Sequence, residues 1–78
     1  EPILAAIAAR LEAHIARGEM RRVDARFAAI ALLSPVLVAH LHQHALGGVA
    51  DFPMAIASHD AALVDGFVRA YAAPAPDA

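Results

Sequence analysis

From Phe27 to Leu46 not one residue carries a fixed charge. On a helix, the apolar side chains of this stretch do not keep to one side. Phe27, Ile30, Ser34, Leu37 and Leu41 form one line, with Val38 beside it. Leu33, Val36, His40 and His44 form a second, and Leu32, Gln43 and Leu46 a third. A helix that is apolar nearly all round has to be buried on several sides. Few folds of a short chain can offer that. The whole sequence is 78 residues and 60% hydrophobic. A chain of that length buries only about 60–65% of its unfolded surface. Much apolar surface is therefore expected to meet a partner, or a part of the same protein beyond these residues.

About 20 apolar residues span a bilayer. The polar half of the uncharged stretch, with His40, His42, Gln43 and His44, argues against a span, because intramembrane histidines are costly. The expectation is a helix buried in protein, with no membrane contact. Alanine occurs 22 times and threonine never. Alanine is the best helix former, and no alternating run of β-branched and aromatic residues marks a strand. The fold class read from the sequence is all-α, with three helices over about 2–17, 25–46 and 59–73.

Pro2 suits a first helical turn, where its missing N–H has no partner to lose. Ile3, Leu4, Ile7, Leu11 and Ile15 then make one stripe, and Gly18 stops the helix. Gly18 to Arg22 reads as a short polar connection, and Asp24 as the N-cap of the second helix. Pro35 should kink that helix, and Gly47-Gly48 should end it. Residues 48–57 read as a loop whose Phe52, Met54 and Ile56 dock on the helices. Ser58 or Asp60 is expected to cap the third helix. Its stripe is Leu63, Val64, Phe67, Val68 and Tyr71, with Asp65 and Arg69 paired on the outer side. Residues 1–73 form one helical segment, and 74–78 a disordered tail.

Several chemistries lack their residues. There is no cysteine, so no disulfide framework exists. Net charge is −2, and all six basic residues are arginines, which gives no electrostatic footprint for nucleic acid. Two serines, Ser34 and Ser58, sit in an apolar helix and at a cap. Neither has the setting of a nucleophile. The segment is not expected to be an enzyme, and no cofactor is implied. His40 and His44, four apart, share a helix face and are the weak candidates for metal. Without a third ligand nearby in sequence, the expected reading is no metal. Such histidines suit a helix end or an interface. No basic stretch followed by an apolar one reads as a signal peptide, so the expected location is cytoplasmic.

The run Ala28-Ala-Ile-Ala-Leu-Leu-Ser-Pro-Val-Leu-Val-Ala-His-Leu-His, the Gly-Gly stop, and Leu63-Val-Asp-Gly-Phe-Val-Arg-Ala-Tyr-Ala-Ala-Pro74 together resemble the C-terminal end of TetR/AcrR-type transcriptional regulators. Ile15-Ala-Arg-Gly-Glu-Met-Arg-Arg-Val-Asp24 is similar to the turn before the long helix of that family. The resemblance covers nearly the whole chain. It implies a three-helix piece of an effector-binding and dimerisation domain, packed as a dimeric helical bundle. Operator DNA would then be bound only through an N-terminal helix-turn-helix domain absent from this chain. A hydrophobic small molecule would be the effector. The runner-up is a helical assembly module without a ligand.

The residues expected at the dimer surface are Leu37, Leu41, Ala45, Leu63, Gly66, Phe67 and Ala70. Gly66 lies in line with Ala62 and Ala70, which makes a smooth strip suited to close helix contact. Phe27, Leu33, Val36 and His40 are expected to line the effector pocket.

Overall fold

A computed structural model describes residues 2–51 and 53–74. Four helices follow one another: α1 Pro2–Ala16, α2 Ala25–His44, α3 Gly48–Asp51 and α4 Ile56–Tyr71. The fold is all-α, with no strand among the described residues. α2 is the hub, packing against α1, α3 and α4.

Local chemistry explains most of the boundaries. Gly18, at φ 75°, ends α1 in the left-handed region that a side chain would disfavour. Its N–H reaches Ile15 O at 3.0 Å, and Glu19 N–H reaches His14 O at 3.0 Å, which satisfies carbonyls the helix leaves open. Asp24 caps α2 as expected, its Oδ1 accepting from Arg26 N at 2.9 Å and Phe27 N at 3.3 Å. α2 runs on through Pro35 as one helix.

Other boundaries depart from the sequence reading. α2 ends at His44, two residues before Leu46. Part of the expected loop forms the single turn α3. α4 begins at Ile56, with Ala55 as a cap that offers no side-chain hydrogen bond, so neither Ser58 nor Asp60 caps it. Asp60 is instead engaged with two histidines inside the helix. Met54 and Ile56 are half-buried, whereas Phe52 and residues 75–78 lie outside the described residues.

The core is made of small side chains. Ala8 and Leu11 of α1 meet Ala25, Ala28 and Ala29 of α2, and Met20 closes one end. Phe67 and Tyr71 of α4 pack against the same cluster. Met20 is buried, although the connection it belongs to reads as polar. It pairs with Ala72 in an isolated antiparallel bridge. There Arg21 N–H donates to Tyr71 O at 2.8 Å, and Ala73 N–H donates to Glu19 O at 3.1 Å. This joins the α1–α2 connection to the exit of α4.

The result is a thin layer, 49 × 33 × 14 Å between Cα atoms. Its radius of gyration is 14.9 Å, against about 11.5 Å for a compact domain of this length. Accessible surface is 5641 Å², where a compact monomer of this mass would expose about 4,500 Å².

Two glycines separate by what surrounds them. A Cβ on Gly48 would run into the His42 ring and the His42 carbonyl, whereas one on Gly66 would meet nothing within 4 Å. Gly48→Ala should lower folding stability by about 1–3 kcal/mol through overpacking. Gly66→Ala should raise it by about 0.5–1 kcal/mol through helix propensity. Urea unfolding of the isolated chain, followed by circular dichroism, reads both signs.

Candidate functional site

The helical repeat of about 100° per residue gives α2 two unlike flanks. Ala25, Ala28, Ala29, Ala39 and Gln43 are buried, with half-buried Leu32 and Val36 in the same line. On the opposite flank, Phe27, Ile30, Leu37, Val38 and Leu41 are 71%, 48%, 58%, 63% and 52% exposed. The small residues point inward and the large ones outward, the reverse of an ordinary core helix. Those five side chains leave on the order of 500 Å² of apolar surface in solvent, near the top of what a monomer's largest patch carries. With 20 residues and a mean hydropathy of 1.5, α2 is also long and apolar enough to cross a membrane by length and composition alone.

α4 continues the open surface. Val64 and Val68 are exposed, as are Ala62, Gly66 and Ala70. Leu63, Phe67 and Tyr71 are half-buried, so the expected five-residue stripe splits in two. Phe67 and Tyr71 stack at 4.5 Å between ring centroids. Asp65 and Arg69 form the expected outer pair at 2.8 Å.

A polar cluster joins α2 to α4 at the far end from the alanine core. His40 Nε2–H donates to Asp60 Oδ2 at 2.8 Å, and His59 Nδ1–H donates to Asp60 Oδ1 at 2.9 Å. These two hydrogen bonds, His40 first, hold the Asp60 carboxyl below its usual range, against a smaller opposing effect of desolvation. The His44 ring lies 5.7 Å from that of His40, tilted by 40°. Among the described residues, no group of three or more His, Asp or Glu side chains is arranged to hold a metal ion.

Gln43 is the residue that sequence reasoning missed. It is 5% exposed, and its Oε1 accepts from Met54 N–H at 3.1 Å. Its Nε2–H donates to His42 Nδ1 at 3.0 Å. A buried amide thus fastens the approach to α4 onto α2, with its donor and acceptor both used. The signal lay in the register: Ala39 and Gln43 continue the spacing of Ala25, Ala28 and Ala29.

The expected surface residues fall as follows. Leu37, Leu41, Ala45, Gly66 and Ala70 are exposed, Leu63 is half-buried, and Phe67 packs into the chain's own core. The four expected pocket residues do not come together. Leu33, Val36 and His40 are half-buried on one side of α2, whereas Phe27 projects from the other. The helical repeat keeps Phe27 apart from the other three.

No protein family, characterised protein or solved structure matches this chain.

The lowered Asp60 value fixes a sign. Its contribution to stability is present above the ordinary aspartate value of 3.8 and is lost as pH falls through the lower folded-state value. Glu19 and Asp24 are lowered too, so the informative quantity is a difference. The gap in thermal midpoint between wild type and Asp60→Asn should be widest above pH 4 and should close on further acidification, by circular dichroism melts.

Proposed function

We propose that this chain is a non-catalytic self-association segment, in which the open flank of α2 and the adjoining surface of α4 pair with a second copy. One observation carries this reading. The large apolar residues of α2 line up on the side opposite its buried face, in a layer only 14 Å thick. A second copy laid on that flank would supply the missing layer, since helical domains are built from at least two packed layers. An identical partner needs no further component, and two-fold pairing of one patch with itself is the commonest closed assembly. Leu37, Leu41 and Ala45 would sit at its centre. The strip Ala62, Gly66 and Ala70 would allow close helix approach, flanked by Leu63 and Phe67.

The resemblance to TetR/AcrR-type regulators attaches a biological role to that pairing, and it rests on the sequence motifs alone. In that role the segment belongs to a cytoplasmic transcriptional regulator. It would hold the dimer together beneath a DNA-binding domain outside this chain. A hydrophobic effector would bind among further helices, with Leu33, Val36 and His40 on its side of α2. Effector binding would shift the dimer between DNA-competent and incompetent arrangements. The assembly module without a ligand remains the second reading, favoured by the separation of Phe27 from Leu33, Val36 and His40 around α2.

Sedimentation equilibrium in dilute buffer tests the pairing. Wild type should be dimeric, and Leu41→Glu should weaken association by about thirtyfold or more, the effect of a central contact worth about 2 kcal/mol. Leu41 is half exposed, so the folded layer should survive the change. A monomeric wild type overturns the proposal. So does co-flotation of the chain with phosphatidylcholine vesicles through the same α2 flank.

A further inference from the structure

The connection between α1 and α2 holds Arg21 and Arg22, the only adjacent arginines in the chain. We infer that this pair marks a processing site, at which an arginine-directed endopeptidase hydrolyses the Arg22–Val23 bond and severs α1 from the rest of the fold.

Six peptide bonds follow an arginine, and the fold treats them unequally. Arg10, Arg26 and Arg69 lie within α1, α2 and α4, as do the residues after them, so a cut there requires unwinding of helical turns. Arg17 N–H donates to Ala13 O and Gly18 N–H to Ile15 O, which holds that bond in the closing turn of α1. Arg21 is tied through its N–H to Tyr71 O at 2.8 Å. Arg22 and Val23 are both exposed, lie outside the helices, and make no hydrogen bond among the described residues.

An endopeptidase takes its substrate as an extended strand through main-chain hydrogen bonds, and receives the side chain before the cut in a pocket. The connection offers both. Met20 sits in an antiparallel bridge with Ala72, and Asp24 has φ −68° and ψ 114°, so extended backbone brackets the bond. The N–H and C=O groups of Arg22 and Val23 are open to an enzyme's main chain. The guanidinium groups of Arg17, Arg26 and Arg69 are paired with carboxylates of this chain, whereas that of Arg22 is paired with none among the described residues and can enter an acidic pocket. Seating the segment loosens only the Met20 bridge and the Asp24 cap, and cleavage of a folded protein follows such local opening.

The reaction consumes one water. Its hydroxyl goes to the Arg22 carbonyl carbon and its hydrogen to the Val23 nitrogen as the C–N bond breaks, and at neutral pH the new ends ionise to a carboxylate and an ammonium. Afterwards α1 is held to the rest only by the alanine contacts and the Met20 bridge. This inference does not depend on self-association, because none of residues 17–24 belongs to the surface assigned to pairing.

Limited digestion of the full chain with trypsin, followed by mass spectrometry over time, tests the site. The first products should be residues 1–22 and 23–78. The Arg22–Val23 bond should be cut about tenfold faster than any other, the effect of one more hydrogen bond to be opened elsewhere. Arg22→Gln should slow loss of the intact chain about tenfold. Helix content by circular dichroism should stay unchanged, since the replaced side chain is exposed. Arg10→Gln, at an exposed position within α1, should leave the rate as it is. A first cut after any other arginine, a folded chain that is not cut, or equal slowing by Arg10→Gln and Arg22→Gln would each overturn the site.

Discussion

Everything in this fold follows from α2 turning its alanines inward. Ala25, Ala28 and Ala29 sit against Ala8 and Leu11, and short side chains let two helix axes come close. Close approach defines the geometry well, but each alanine removes little apolar area from water, and stabilisation scales with that area. No large side chain is fully buried anywhere among the described residues. The layer is therefore sterically specific and thinly stabilised. Its greasiest residues, Phe27, Leu37, Val38 and Leu41, face outward. A chain arranged this way gains most of its remaining hydrophobic stabilisation only when something covers that flank.

Because the core is thin, polar contacts carry more of the positioning than they would in a larger domain. α4 is attached at both ends. Near its start, Asp60 takes hydrogen bonds from His40 and His59, and Gln43 takes one from the Met54 backbone just before it. Near its end, Phe67 and Tyr71 reach the core, and the backbone after Tyr71 pairs with the connection between α1 and α2. Between these attachments Ala62, Gly66 and Ala70 are exposed, and a Cβ on Gly66 would meet nothing within 4 Å.

Helices were legible wherever one local rule dominates. Asp24 had a single role available to it, with two orphan N–H groups waiting one turn on, and Gly18 marked its stop by what only glycine tolerates cheaply. Asp65 and Arg69 paired because four-residue spacing leaves them adjacent. The start of α4 was misread because Asp60 has two calls on its oxygens, a cap and a pair of imidazoles, and the tertiary partner His40 is invisible in linear order. Met20 was misread for a similar reason. Amid Arg21, Arg22 and Glu19 it looks solvated, and only the fold brings Ala72 and Tyr71 beside it. The pocket set is divided within this chain because apolar character was weighed without direction, and Phe27 points away from Val36 around the same helix. The orientation of α2 as a whole was half legible. The line of Phe27, Ile30, Leu37 and Leu41 was separated correctly, but the inward face gathers Leu32, Val36 and Gln43 from the other two around a row of alanines, which no hydrophobicity argument would choose.

The bridge between Met20 and Ala72 also bears on how the molecule comes together. α1 and α2 are neighbours in sequence and can zip up as a local hairpin of helices. The pairing at Met20 closes a loop of about fifty residues, and such distant contacts wait until the intervening chain has been ordered. α4 is thus the late arrival. Until it docks, Leu11 and Met20 lack their cover, and a half-finished molecule presents a second greasy surface besides the flank of α2. Folding order, as much as the finished shape, sets when this chain is most prone to stick to its own kind.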